Sequence, residues 1–219
     1  MRSIKKVFVL IQMEWTLDIK RPSILASAIL QLGTMAMLSM LSQPKITSNA
    51  WNSLFWITLI FCTLNAVAKS FTLVSKNRWI YWNQLSSPGE MLWSKMIYGW
   101  LSMLFLTTVN LLFFGWFMGI PVEHLTTYLS ILLLVTGGIS SLFTFIGAVA
   151  TKAGGAGFLA PVLSLPIILP LLLVGIKASK KAFNPVLVSS VNKDILLLAS
   201  LDVMILVLTG VLFQSLWKD

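Results

Sequence analysis

The chain has 219 residues, of which 57% are hydrophobic and only 11% are charged, and its formal net charge is +9. Because a soluble domain needs about 25% charged residues to cover its outside, this composition excludes an ordinary soluble protein and favours one whose surface faces lipid. In such a chain the excess of basic residues predicts a fixed membrane orientation and contact with anionic lipid, and not nucleic-acid binding.

The first 21 residues predict an amphipathic helix that lies in the membrane interface. At helical spacing, one side carries the apolar residues Ile4, Val7, Phe8, Ile11, Trp15 and Ile19. Another side carries Lys5, Gln12, Thr16 and Lys20, although Val9 and Met13 interrupt it. Two compatible roles follow for such a helix: a surface anchor that orients the first crossing, and an elbow that touches a cytoplasmic partner.

Six apolar runs follow, and each is long enough to cross a hydrocarbon core about 30 Å thick. We place these crossings at Pro22–Leu41, Ala50–Phe71, Met96–Met118, Tyr128–Ala150, Phe158–Ile176 and Ile195–Leu216. The runs are too long and too uniformly apolar for barrel strands, and helices pair their own backbone groups inside lipid. We therefore expect an all-α integral membrane protein in which residues 1–219 form a single six-helix domain.

The distribution of Lys and Arg predicts the orientation of these crossings. With the N-terminus inside, the cytoplasmic side holds eleven of the sixteen basic residues. Of the five on the outer side, four lie in one loop and run against the rule: Lys177, Lys180, Lys181 and Lys193. The early helices usually set the orientation, so both termini are expected in the cytoplasm, with the last two crossings the least secure.

Polar residues inside the crossings are candidates for function, because each is costly in lipid unless it faces a partner or a cavity. They are Asn65, Asn110 and Asp202. For the two asparagines the simpler interpretation is a hydrogen bond between helices. The fifth crossing also carries Pro161, Pro166 and Pro170, which predict either a moving kinked helix or an irregular buried one.

The sequence predicts neither catalysis nor a firmly bound cofactor or metal. Cys62 is the only cysteine and lies within a crossing, so it can form no intrachain disulfide or paired-cysteine site. His124 is the only histidine, and an ordinary loop residue is the simpler interpretation than a haem ligand or pH sensor. The glycines at 154, 155 and 157 lack the Lys and Ser or Thr of a P-loop, so they do not indicate nucleotide binding.

Residues 72–95 form the longest segment predicted on the cytoplasmic face. This segment combines charged and aromatic side chains that are candidates for contact with a partner: Lys76, Arg78, Trp79, Trp82 and Glu90. The tryptophans are typical both of buried anchors in a protein interface and of the aromatic belt at a membrane surface, and the sequence leaves both interpretations open.

Two stretches resemble the CcmB family, the haem exporter protein B of cytochrome c maturation. One runs from Thr136 to Leu173 and contains TGGISS, then KAGGAG, then SLPIILPLLL. The other is LSSPGEMLWSKMIYGWL, from Leu85 to Leu101, where a proline-containing loop leads to a lysine that opens the third crossing. Length, crossing number and the N-terminal MEWTLDIKR agree as well, so the resemblance covers essentially the whole chain.

The resemblance implies an ABC-2-type permease subunit in the bacterial inner membrane, working with a separate ATPase subunit. It also implies other cytochrome c maturation membrane subunits and a periplasmic haem chaperone as partners, with haem as a transported or handled ligand. The family often has several acidic residues around the end of the second helix, where this chain has Asn65, Lys69, Lys76 and Arg78. That departure leaves the corresponding polar contacts unassigned.

Two other functional classes fit the same sequence. A stand-alone secondary transporter would use broken helices and an ionisable residue near the midplane, such as the proline-rich fifth crossing and Asp202. The absence of a convincing internal repeat between the halves weakens it. A membrane assembly subunit without transport activity is the third class.

The orientation can be tested with a reporter that is active only outside the cytoplasm. Fusions after Lys76 and after Asp219 should be inactive, and a fusion after Glu123 should be active, because the basic residues favour the cytoplasm. An active fusion at Asp219 would show that one of the last two predicted crossings is wrong.

Overall fold

The computed structural model describes residues 2–20, 22–42, 46–72, 87–152, 156–184 and 190–218. Within these residues it contains seven α-helices and no β-strand, which confirms the all-α prediction. The helices are α1 (Arg2–Ile19), α2 (Pro22–Ser42), α3 (Ser48–Thr72), α4 (Pro88–Met118), α5 (Leu125–Lys152), α6 (Ala156–Lys181) and α7 (Val191–Lys218).

Five stretches of the described residues are long and apolar enough to cross a membrane, so the chain is a multi-pass membrane protein. They are Leu25–Ser42 in α2, Gly89–Met118 in α4, Leu125–Ala150 in α5, Val162–Lys181 in α6 and Val191–Leu212 in α7. The predicted crossing Ala50–Phe71 lies in α3, a helix of 25 residues that is not among these five.

Helix α5 lies at the centre of the bundle. Protein buries 67% of its membrane-spanning stretch, against 11% for that of α7 and 17% for that of α2. It packs against α4, α6 and α7, while α3 packs between α2 and α6. The apolar outer sides of α2 and α7 are therefore left for lipid, as expected for helices at the rim of a membrane bundle.

Small residues in α5 let its neighbours approach closely. A β-carbon at Gly138 would collide with the Asp202 carboxylate of α7 and would lie 2.8 Å from Leu171 Cδ2 of α6. Two residues further along, Ser140 Oγ donates a hydrogen bond to the Met96 carbonyl of α4 over 3.0 Å. Three helices thus meet α5 within a single turn, in the part of the sequence that reads TGGISS.

The start of α4 differs from the sequence prediction. The third crossing was expected from Met96, but the helix begins at Pro88, so the last eight residues of the 72–95 segment are helical. The reason is a complete capping box at Ser87, whose hydroxyl accepts from Glu90 N while Glu90 Oε2 accepts from Ser87 N over 3.2 Å. Proline at the first helical position adds to this signal.

Helix α6 continues without a break through Pro161, Pro166 and Pro170. Transmembrane helices tolerate proline because neighbouring groups satisfy the freed carbonyls. The three prolines therefore do not interrupt the helix. Gly157 lies in its first turn, and the glycines at 154 and 155 lie outside the described residues.

A backbone hydrogen bond places two connections at the same end of the bundle. His124 N, in the turn between α4 and α5, donates to the Ala182 carbonyl at the end of α6 over 3.1 Å. The α4–α5 turn and the α6–α7 connection therefore share one end, which is what alternating crossings require. The start of α4 and helix α1 lie together at the opposite end.

Close packing at Gly175 of α6 predicts that adding a single methyl group there destabilises the protein. A β-carbon there would lie 2.8 Å from Val135 Cγ2 of α5, and a β-branched side chain cannot rotate away easily. Gly175→Ala should lower the stability in detergent by about 1–3 kcal/mol. Gly210→Ala in α7 is the matched control, because nothing lies within 4 Å of its β-carbon position. Equal melting temperatures for the two variants would contradict this packing.

Candidate functional site

A polar junction joins α1 to the first turns of α4. Lys95 Nζ of α4 donates a hydrogen bond to Glu14 Oε1 of α1 over 3.0 Å. One turn further along both helices, the Tyr98 hydroxyl donates to Asp18 Oδ2. We call these four residues, Glu14, Asp18, Lys95 and Tyr98, the α1–α4 junction.

The junction is shielded enough from water to hold α1 in place. The side chains of Lys95 and Glu14 are only 22% and 18% exposed, unlike a surface ion pair that water screens. Glu14 and Asp18 are four residues apart, and Lys95 and Tyr98 are three apart, so each pair projects from one helix face. Two contacts one turn apart fix both the position of α1 along α4 and its rotation about its own axis.

Glu90 was predicted as a partner contact, and the structure gives it two local contacts. Besides its part in the capping box, its carboxylate lies 3.9 Å from Lys6 Nζ of α1. The Glu90 side chain is largely buried, whereas that of Lys6 is more than half exposed, so this pair adds little binding energy. The other predicted partner contacts, Lys76, Arg78, Trp79 and Trp82, lie outside the described residues.

Asn110 makes a hydrogen bond between helices, which is the simpler of the two interpretations given above. Its side chain is fully buried in α4, and its Nδ2 donates to the Phe55 carbonyl of α3 over 3.1 Å. This hydrogen bond ties α3 to α4. Asn65 lies in α3, but its side chain is outside the described residues.

Asp202 of α7 faces the centre of the bundle. Its Oδ1 lies against Gly138 of α5, and this buried oxygen has no hydrogen-bond partner in the described part of the chain. A carboxylate in this position is costly, so Asp202 remains the strongest candidate for a functional group inside the membrane.

A second polar network at the other end of the bundle was missed by sequence reasoning. Ser179 Oγ of α6 accepts hydrogen bonds from Asn52 Nδ2 at 2.9 Å and from Trp56 Nε1 at 3.0 Å, both from α3. The Tyr128 hydroxyl of α5 donates to Asn52 Oδ1 over 3.3 Å. Aromatic rings pack around these groups, namely Trp51, Phe55, Trp56, Phe114, Tyr128 and Phe183.

We call it the outer network, after the orientation that the basic residues predict, and it ties three helices together at one end of the bundle. It links α3, α5 and α6 through buried hydrogen bonds, and Trp51 Nε1 adds a bond to the Gly119 carbonyl over 3.0 Å. The signal available in the sequence was the WNSLFW run at the start of α3, an aromatic-rich stretch whose asparagine required a partner.

No group of His, Cys, Asp or Glu side chains in the described ranges is arranged to hold a metal ion. His124 makes a backbone contact, and Cys62 is buried with its sulfur 3.5 Å from the Ala28 carbonyl. The chemistry that these residues offer is therefore hydrogen bonding and ion pairing between helices.

The long apolar helices, the amphipathic α1 and the polar contacts between them define the class: a multi-pass helical membrane protein. Residues 5–215 match the family described as CcmB protein. The match covers nearly the whole chain, so the chain belongs to the CcmB family. This membership implies a role in haem export for cytochrome c maturation, with other components of that system as partners. No curated protein and no solved structure matches the chain.

Charge reversal tests the α1–α4 junction. Glu14→Lys places two ammonium groups together and should loosen α1 by roughly 1.5 kcal/mol or more, since a hydrogen bond to a charged group is lost. Hydrogen exchange of the α1 amides should then accelerate by about tenfold or more. The double variant Glu14→Lys with Lys95→Glu should recover most of the protection.

Gln12→Lys is the control for this experiment, because Gln12 is exposed on α1 and lies away from the junction. It should leave exchange unchanged. If Gln12→Lys and Glu14→Lys accelerate exchange equally, the junction does not hold α1.

Proposed function

We propose that this chain is the ABC-2-type permease subunit of a transporter for cytochrome c maturation, driven by a separate ATPase subunit. The α1–α4 junction is the observation that supports this most directly. It fixes an amphipathic helix beside the segment that joins α3 to α4, and so builds a firm surface at one end of the bundle. The sequence lacks a P-loop, so a partner would have to supply ATP hydrolysis.

The proposed arrangement has six crossings with α3 as the sixth. A helix of 25 residues is about 37 Å long at 1.5 Å per residue, which exceeds a hydrocarbon core of about 30 Å. Its polar side chains Asn52 and Thr58 are buried inside the bundle and not turned to lipid. Six crossings would return the C-terminus to the side of α1, and we place both in the cytoplasm of a bacterial inner membrane.

In this proposal the ATPase acts on the bundle through α4. A push on the α3–α4 segment or on α1 would reach α4 at its first turns, because both are joined to it there. Helix α4 in turn contacts α5 through the Ser140–Met96 hydrogen bond, and α5 contacts α7 at Gly138 and Asp202. The outer network would stay fixed while the cytoplasmic end moves.

Haem is the cargo or handled ligand in this proposal, and not a resident cofactor of the chain. Two steps fit a moving bundle with a rigid outer end: transfer of haem across the membrane, and release of a haem-loaded periplasmic chaperone from the other subunits. Both require energy delivered from the cytoplasmic side. Asp202 would serve the movement of α7 against α5, since its carboxylate lies where these helices meet.

The orientation of Asp202 also supports a second candidate, a stand-alone secondary transporter that uses this carboxylate for ion coupling. The two candidates differ in their energy source. Activity that persists when the P-loop ATPase is deleted, and collapses with the proton gradient, would favour the secondary transporter.

Co-purification in mild detergent tests the permease proposal. A P-loop ATPase should remain bound to the parent chain, and the double variant Trp79→Ala with Trp82→Ala should weaken its retention by well over tenfold. We expect this because buried tryptophan anchors in an interface are worth about 2 kcal/mol or more each.

Trp116→Ala is the matched control, since Trp116 is 87% exposed at the far end of α4. It should retain the ATPase as the parent does. If no ATPase binds the parent, the permease proposal is wrong. If the double variant holds the ATPase as tightly as the parent, the tryptophans belong to the membrane belt.

A further inference from the structure

Helix α1 has three sides, and the first of them faces the bundle. Val7, Ile11, Glu14 and Asp18 recur at helical spacing and are all partly buried. Glu14 and Asp18 make the α1–α4 junction from this side. Amphipathic periodicity placed Val7 and Ile11 on the apolar side and did not predict that Glu14 and Asp18 contact the bundle.

The second side is suited to lipid. Phe8, Trp15 and Ile19 are exposed and lie next to one another on the helix surface. A row of large apolar residues beside the bundle face is what an interfacial helix buries among acyl chains and headgroups.

The third side carries Val9 and Met13, which are 60% and 39% exposed. They lie roughly a third of a turn or more from Phe8 and Trp15, at 3.6 residues per turn. Their neighbours on this side are Thr16 and Lys20, both exposed, with Lys6 on its edge. The polar and basic residues indicate that this side faces water.

The junction prevents α1 from hiding Val9 and Met13. Rolling the helix to bring them into lipid would break the Glu14–Lys95 and Asp18–Tyr98 contacts together, because both pairs project from one face. Two large apolar side chains are therefore held exposed on the side that carries the polar and basic residues. Their exposure to water costs free energy until another surface covers them.

We propose that Val9 and Met13 form a docking contact for the ATPase subunit, through an apolar patch on that subunit rimmed by carboxylates. This inference rests on the permease proposal and names a second contact of the same complex. Lys6 and Lys20 flank the two apolar residues. The nearby carboxylates in the described residues, those of Glu14, Asp18 and Glu90, are turned toward the bundle or largely buried.

The position of this surface favours the ATPase over a lipid surface as its occupant. Lys6 lies 3.9 Å from Glu90 in the first turn of α4, so the Val9 and Met13 contact adjoins the end of the α3–α4 segment. One soluble domain resting against that segment would reach α1 as well. Lipid is already accommodated by the Phe8, Trp15 and Ile19 side.

Photo-crosslinking from α1 tests this assignment in nanodiscs of phosphatidylethanolamine and phosphatidylglycerol. A benzophenone amino acid in place of Met13 should crosslink to the P-loop ATPase that co-purifies with the parent chain, identified by mass spectrometry. The same group in place of Trp15 should crosslink to lipid. If the probe at position 13 crosslinks only to lipid or only to another membrane subunit, the proposal is wrong.

Substitution gives a second, quantitative test. Val9→Ser with Met13→Ser should weaken ATPase retention by about tenfold, and the matched variant Phe8→Ser with Trp15→Ser should leave it unchanged. Lys20→Glu should weaken retention and Lys20→Arg should not, since only the first reverses the charge. Hydrogen exchange of α1 shows whether each variant keeps the junction.

The outcomes separate this inference from the permease proposal. An ATPase that never binds the parent chain overturns both. Binding to the parent that the Val9 and Met13 variant retains in full, with α1 still protected, overturns only the docking contact. Weaker ATPase binding accompanied by rapid hydrogen exchange of α1 would mean that the variant had disrupted the α1–α4 junction. That result would also overturn the docking contact.

Discussion

Pairing of polar groups between helices is the constraint on which this structure depends, because the membrane interior offers them no water. At one end, Glu14 and Asp18 of α1 accept hydrogen bonds from Lys95 and Tyr98 of α4. In the middle, Asn110 of α4 finds the Phe55 carbonyl of α3. Each pair holds two particular helices in one register, whereas apolar contacts in lipid would let them slide. The polar residues are few, and they determine which helices are neighbours.

The two ends of the bundle differ in how they are built. The outer network is buried, aromatic and shared by α3, α5 and α6 through the hydroxyl of Ser179. The α1–α4 junction is partly exposed and involves only two helices. A junction with fewer buried contacts separates at a lower free-energy cost than a packed aromatic core. In the proposed transporter, movement would therefore start at the end that holds α1 and hinge on the outer network.

Periodicity and run length predicted the helices, and the resemblance of two stretches predicted the family, but neither predicted which polar side chains pair with one another. Apolar runs of about 20 residues are a strong local signal, and TGGISS with SLPIILPLLL was specific enough to indicate the CcmB family, which is confirmed. The start of α4 was misplaced because all of residues 72–95 were assigned to a connecting segment, although Ser87 and Glu90 form a capping box. Amphipathic periodicity did not predict the contacts of Glu14 and Asp18, because the sequence of α1 alone does not show which partners α4 offers. One of the lysines counted on the outer side, Lys181, lies 2.6 Å from Asp194, a pairing that the count of basic residues did not predict.

The same polar contacts would let α1 combine the two predicted roles, surface anchor and elbow, in one short helix. An interfacial helix held only by apolar contacts is free to roll, and it then presents its most apolar side to lipid. Here Lys95 and Tyr98 of α4 bind carboxylates on the side of α1 that adjoins its lipid-facing apolar side. The rotation of α1 about its own axis is therefore fixed by α4 and not by lipid. The remaining side keeps Val9 and Met13 exposed. Because α4 fixes the rotation of α1, these two apolar side chains stay exposed on a helix that is joined to the bundle.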